Sequence, residues 1–339
     1  MTLRTTAALR SRTGLAVVFI AMLLAACGST TATPTRPVVS PPVMPAGAHI
    51  VHPAVTTSSG SSCTDPTASL APPDVMPSPG DMPAGSWMAK IQARGYLIAG
   101  VDQNKYLWGY RDPTSGNYGG FDIDMLRQVS LAIFGSPDKI YFKVIPTAQR
   151  AAAVEKGIVD IVAQTMTINC ERIGEVDFSS VYFEAGQEIL VPVGSPITGS
   201  AGLAGKRVCA ADSSTSLNHL AGLNLKPAPQ IWAVPSDTDC LVMLQQGQVD
   251  AISTDNVILQ GLQAQDPNTT MIGPAFSSEP YGMAISKEHP EFTRFVNGVL
   301  AAERIDGTWT SIYRQWVWPY MNMSGPIPAP PIATYRTGA

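Results

Sequence analysis

Twice along this chain, short apolar runs alternate with helix-length amphipathic segments, and that alternation narrows the fold more than any other feature. In the first series, residues 96–101 form an apolar run, and 121–134 set Met125, Leu126, Val129 and Ile133 on one helical face. A run at 140–145, a helical stretch at 148–156 closed by Gly157, and a run at 158–163 complete a β-α-β-α-β order. The second series passes through 207–211, a helix opening after Ser214, 230–234, a helix at 237–246, and 249–253. Strands joined by helices pair mostly in parallel. The expectation is an α/β chain of two lobes, with functional side chains just past the carboxyl ends of strands.

The ends of the chain read differently. Arg4, Arg10 and Arg12 precede an apolar run at 15–24, too short to stay in a bilayer, so 1–26 reads as a signal peptide. It ends in Leu24-Ala25-Ala26-Cys27, which resembles the lipobox of bacterial lipoproteins, and Cys27 is then the acylated first residue of an exported protein on the outer face of the membrane. Residues 27–84 are rich in Pro, Ser, Thr, Ala and Gly, and 324–339 are again Pro-rich. These read as a flexible tether and an extended tail. Nothing after residue 27 is apolar for long enough to span a membrane.

About 310 residues remain after the signal, enough for two lobes with cores of their own. The net charge of −4, with both signs interspersed, argues against a nucleic-acid partner. Beyond Cys27 stand Cys63, Cys170, Cys209 and Cys240. An even number in an oxidising compartment points to disulfides, with three pairings open. A metal site is disfavoured, since no two cysteines have C-x-x-C spacing and the histidines are scattered.

An ordered set of motifs then resembles one family, the extracellular solute-binding proteins for polar amino acids that serve ABC importers. The carriers are Gly119-Gly120-Phe121-Asp122-Ile123-Asp124, Gly157-Ile158-Val159-Asp160-Ile161, Thr165-Met166-Thr167-Ile168-Asn169-Cys170-Glu171-Arg172, Val176-Asp177-Phe178-Ser179, Leu203-Ala204-Gly205-Lys206, Ser213-Ser214-Thr215-Ser216, Gly247-Gln248-Val249-Asp250-Ala251, Tyr281-Gly282-Met283-Ala284-Ile285 and Asp306-Gly307-Thr308. The resemblance covers about residues 86–320. It implies a type II, periplasmic-binding-protein-like fold with lobe 1 at 85–184 and 281–323, lobe 2 at 185–280, and crossings near 182–186 and 279–282.

It also implies a site. Arg172 matches the position that takes a ligand's α-carboxylate, for which a planar guanidinium offers two parallel hydrogen bonds. Asp255, from the other lobe, matches the acid that takes the α-ammonium. Thr167 and Asn169 share the turn of Arg172, and Ser214, Thr215 and Ser216 form the facing loop at a helix start. For the ligand's side chain the candidates are Asp102, Lys105, Trp108, Arg150 and Gln164, with Tyr106 in the same loop as Trp108. Asp102-Gln103, Ala148-Gln149-Arg150, Cys209 and Cys240 look like the glutamate-binding branch, so the implied ligands are aspartate or glutamate, with asparagine and glutamine as competitors. Lys105 or Arg150 would supply the cation for an acidic side chain. The expected bridges are Cys63–Cys170 and Cys209–Cys240. Thr165, Ser213 and Thr215 stand where the family often has Gly, which places the backbone contacts there in question.

Catalysis finds no support in the sequence. There is no Gly-x-Ser-x-Gly elbow and no close His pair, and His49, His52, His219 and His289 have no evident partner. Asp122 and Asp124 could mimic catalytic carboxylates, but capping and the helix dipole account for acids at a helix start. The reading is a monomeric binding protein without cofactor, delivering a free amino acid to an ABC permease. The rival is a sensor that presents the same ligand to a transmembrane receptor.

Overall fold

The computed structural model describes residues 43–51, 63–321 and 325–336. The signal segment, Cys27 and His52 lie outside them. Two sheets carry the molecule. The first runs Ile140–Val144, Leu97–Val101, Ile161–Val162, Ala284–Ile285, Asp177–Phe178, its first three strands parallel and Ala284–Ile285 antiparallel to both neighbours. The second runs His49–Val51, Gln230–Val234, Arg207–Ala211, Ala251–Asp255, Gln187–Pro192, Thr269–Ile272, with the middle three from Gln230–Val234 to Ala251–Asp255 parallel. This is the two-lobed α/β fold.

Local chemistry sets the elements. The helix Phe121–Phe134 buries Met125, Leu126, Val129 and Ile133, as its periodicity requires, and stops at Gly135 in the left-handed conformation. It starts at Gly120, whose φ of 124° and contact with the Trp108 carbonyl leave no room for a Cβ. The run read at 158–163 is a strand only over Ile161–Val162, because Gly157 to Asp160 first turn back from the helix Arg150–Glu155.

The two lobes join through a ribbon in which Phe183–Ala185 pairs antiparallel with Glu279–Tyr281. Aromatic rings pack beneath it, with Trp108 4.7 Å from Phe183 and 5.6 Å from Tyr281, edge to face in both cases.

Where described, the tether and the tail are fixed to the body. His49–Val51 adds an edge strand antiparallel to Gln230–Val234. Farther on, Asn297 Nδ2 donates to Ser69 Oγ (2.8 Å) and to the Leu70 carbonyl (2.6 Å). Ser69 also exchanges backbone hydrogen bonds with the tail, donating to the Thr334 carbonyl at 3.0 Å and accepting from Arg336 at 2.8 Å. Over 43–51 and 63–84 the chain thus lies against the body, as the Cys63 bridge requires for its part of it. Segments without hydrophobic periodicity dock here through isolated strand pairing and side chains of the body that reach their carbonyls, which composition does not reveal.

Candidate ligand-binding site

The Arg172 turn hangs from the ribbon. Ile168 donates to the Pro280 carbonyl at 2.7 Å and Gly282 to the Met166 carbonyl at 3.1 Å, so Thr167 forms an isolated antiparallel bridge with Tyr281. Gly282 permits this approach, since a Cβ there would lie 2.7 Å from the Ile168 Cδ1 atom. Asn169 Oδ1 accepts from the Arg172 amide (2.9 Å) and opens the short helix Arg172–Glu175. The Arg172 guanidinium donates to the Thr167 carbonyl at 2.7 Å and reaches the Ser213 carbonyl of the other lobe at 3.4 Å. Burial lowers the pKa of Arg172, with Asp255 and Glu279 opposing that shift. No carboxylate lies within 4.0 Å of its guanidinium among the described residues.

Across the cleft, Ser214 caps the helix Thr215–Gly222 by accepting from the Leu217 amide at 3.1 Å. Thr165 (φ 42°) and Ser213 (φ 56°) both adopt left-handed backbone, the conformation for which the family's glycine is suited, while Thr215 does not. Asp255 ends the strand Ala251–Asp255 and precedes the helix Asn256–Gln265, yet its side chain makes no cap hydrogen bond. It accepts from the Tyr281 hydroxyl at 2.5 Å and from Ser216 Oγ at 3.4 Å. Burial, and next the nearby Glu279, push its carboxyl up to about 7.

These groups line one small cavity between the lobes, about 20 Å³, far below the ~300–1,000 Å³ typical of ligand sites, so the lobes must part to admit an amino acid. Of the residues singled out in the sequence, Lys105, Arg150, Thr167, Arg172, Ser214, Thr215, Ser216 and Asp255 reach it. Lys105 is committed elsewhere. Its Nζ lies 3.2 Å from Asp237 in the other lobe, 4.0 Å from Asp102, and donates to Thr165 Oγ1 at 3.1 Å. Arg150 is buried, and its guanidinium donates only to the carbonyls of Thr147, Gln164 and Thr165 among the described residues. Burial, reinforced by Arg172, lowers its pKa to about 9.

Five candidates, Asp102, Tyr106, Trp108, Gln164 and Asn169, lie outside the lining. Trp108 is in the core under the ribbon, with its indole N–H donating to the Val257 carbonyl at 3.2 Å. Gln164 donates its amide N–H groups to Asp102 (3.2 Å) and to the Ile145 carbonyl (3.1 Å) behind the wall, while its buried Oε1 has no partner among the described residues. Asn169 supports Arg172 at the cleft's outer rim. Tyr106 packs against Tyr320, hydroxyl to hydroxyl at 3.2 Å. Asp122 is corrected too. It caps nothing, but accepts from the Thr165 amide (2.9 Å) and the Tyr182 hydroxyl (2.6 Å) in full burial, which raises its pKa to about 6.

The sequence reading missed Asp237, Glu279 and His219. Asp237 faces the cavity from the first turn of the helix Asp237–Gln245, where dipole complementarity alone would explain an acid. Glu279 sits fully buried at the ribbon and gathers Thr167, Thr215, Ser277 and His219, partners too far apart in sequence for any spacing to announce them. Two disulfides flank the site, Cys63–Cys170 within the Arg172 turn (Cα–Cα 5.6 Å) and Cys209–Cys240 beneath the second sheet (5.5 Å). No metal-holding cluster of three or more His, Cys, Asp or Glu occurs among the described residues.

Known proteins share this construction. The family model for bacterial extracellular solute-binding proteins, family 3, matches residues 97–319. The chain is 35% identical to the ABC transporter glutamine-binding protein GlnH of Bacillus subtilis, over 68% of this chain and 84% of that one. It is 28% identical to the glutamate-binding protein GluB of Corynebacterium glutamicum, over 68% and 81%. Among solved structures, an ancestral arginine-binding protein bound to glutamine superposes with a TM-score of 0.61 at 32% identity, covering 66% of this chain and 98% of that one. The L-cysteine receptor of Neisseria gonorrhoeae gives 0.65 at 27%, covering 69% and 95%. With both lobes and the ribbon inside the matched stretch, the chain belongs to family 3 of the bacterial extracellular solute-binding proteins, which bind solutes and catalyse no covalent chemistry.

Proposed function

We propose that this chain captures a free amino acid with an acidic or amide side chain, aspartate, glutamate, asparagine or glutamine, by closing two lobes over it, and passes it to an ABC permease from a lipid anchor on Cys27. The observation that carries the reading is the meeting, in one cavity, of Asp255 with two guanidiniums, Arg172 and Arg150, that have no carboxylate partner among the described residues. Arg172 takes the α-carboxylate, aided by the backbone amides of Thr215 and Ser216 at the helix start that Ser214 caps, and Asp255 takes the α-ammonium with the Thr167 hydroxyl oxygen. Arg150 takes a second carboxylate or an amide oxygen. A buried cation held only by neutral carbonyls gains most from an anion, so the acidic ligands should bind better than their amides. The names of relatives that bind glutamine, glutamate or aspartate support this ligand set.

Calorimetry on the purified ectodomain with these four amino acids, plus arginine and lysine, tests the reading. Affinity in the micromolar range, near about −8 kcal/mol, is expected for at least one acidic ligand. Binding of the basic amino acids alone would refute it.

A further inference from the structure

We infer that Glu279 is the positioning residue that couples the two ligand-facing loops to the hinge, by drawing one hydroxyl from each lobe onto a single buried carboxylate oxygen. Thr167 Oγ1, on the Arg172 turn, donates to Glu279 Oε2 at 2.7 Å, and Thr215 Oγ1, on the facing loop, donates to the same atom at 2.8 Å. The two hydroxyl oxygens are thereby brought to 3.4 Å from each other. The other oxygen accepts from Ser277 Oγ at 2.5 Å and lies 3.2 Å from His219 Nδ1, which is itself 2.9 Å from the Gln187 amide oxygen. Glu279 therefore stands on the ribbon with every partner supplied by an element that moves or by the pivot.

The geometry has a direction. Rotating the lobes apart separates Thr167 from Thr215, so at least one donor must leave Oε2, and charge-assisted hydrogen bonds inside a protein are worth more than neutral ones. The closed arrangement is the one in which the carboxylate is fully served. The same two bonds fix where each threonine proton points, toward Glu279 and away from the cavity. Glu279 touches no ligand and acts only through the loops.

The inference rests on the amino-acid-binding reading for its affinity arm, so the experiment also has an arm without ligand. Glu279→Ala and Glu279→Gln would be compared with the parent by calorimetry with glutamate and aspartate, and by backbone hydrogen exchange without ligand. Glu279→Ala should weaken binding about ten- to hundredfold, the range for losing hydrogen bonds to a charged group. It should also speed exchange in both 165–172 and 213–217 while the outer strands stay protected. Glu279→Gln keeps an acceptor for the threonines and should recover most of both effects. Thr167→Val with Thr215→Val should reproduce Glu279→Ala, and serves if that variant does not fold. A lowered melting temperature with unchanged affinity and unchanged loop exchange would overturn the inference. If the parent binds none of the amino acids while exchange still responds as described, the coupling stands and the ligand assignment falls.

Discussion

Tyr281, on the hinge ribbon, donates its phenolic hydrogen to Asp255, on the last residue of a lobe 2 strand, at 2.5 Å. That bond is the largest influence holding Asp255 toward its ionised form against burial and Glu279, which together bring it to about 7. The folded, empty site keeps this proton longer than the unfolded chain does, so the contribution of Asp255 to stability is greatest below about 3.8 and is lost as pH rises to about 7. Ligand affinity runs the opposite way, since an ammonium needs the carboxylate ionised. Binding should weaken as pH falls below about 7. Tyr281→Phe should move that midpoint up by roughly one unit, costing about fivefold in affinity at neutral pH and little at pH ~8.5. Calorimetry across pH checks it, and parallel curves for the two proteins would dismiss the link.

Arg172 and Arg150 divide the ligand between them. Arg172→Ala should abolish measurable binding of every amino acid, with the melting temperature of the empty protein nearly kept, because the guanidinium's present partners are two backbone carbonyls at the cleft edge. Arg150→Met should discriminate instead, weakening aspartate and glutamate by roughly 2–4 kcal/mol and the amides by less, the difference reflecting a buried carboxylate left unpaired. Equal losses for acids and amides would place the ligand's side chain elsewhere.

Glu303 makes a prediction away from the cleft. It is buried in the helix Pro290–Asp306, neither of its oxygens has a hydrogen-bond partner among the described residues, and burial raises its pKa to about 8. With the folded value above the ordinary 4.5, the protein loses stability through this group as pH climbs from about 4.5 to about 8, and no further beyond. Glu303→Gln should therefore gain on the parent in thermal melts over that interval, by up to about 1.4 kcal/mol per pH unit, and then hold a constant lead. A lead that does not change with pH would refute the assignment.

The Cys63–Cys170 bridge should matter to affinity as well as to stability. Cys170 lies between Asn169 and Arg172, so the bridge fixes the turn that aims the guanidinium. Replacing both cysteines with serine should lower ligand affinity several-fold, and should lower the melting temperature because the closed loop spans 107 residues. The matching change at Cys209 and Cys240 should lower the melting temperature with affinity kept. Identical affinity changes in the two double variants would remove any special role of the turn.

The fold was readable where the chain obeys a period or a break. The helix Phe121–Phe134 has an apolar stripe and a glycine at each end, and its bounds match the sequence reading residue for residue. The strand Arg207–Ala211 and the strand Gln230–Val234 are legible for the same reason, short apolar runs between turn residues. Side-chain direction was not readable. Trp108 and Arg150 both follow strands, but one turns under the ribbon and the other into the cavity. Asp255 could have been a cap, and only the Tyr281 hydroxyl, brought over by the hinge, shows which way its carboxylate faces. Glu279 was invisible, because a buried carboxylate is justified by partners that only tertiary structure assembles.

The ribbon of Phe183–Ala185 and Glu279–Tyr281 is the spine at which the two lobes meet. A pair of hydrogen-bonded strands bends out of its own plane more readily than it stretches or slides, so closure by the proposed function would swing the lobes like the covers of a book about that spine. The page edge is then the rim lined by Asn169, Glu171, Arg172 and Asn218. On the proposed function, cargo would enter and leave there, and a permease that unloads it would have to grip the two covers on that side.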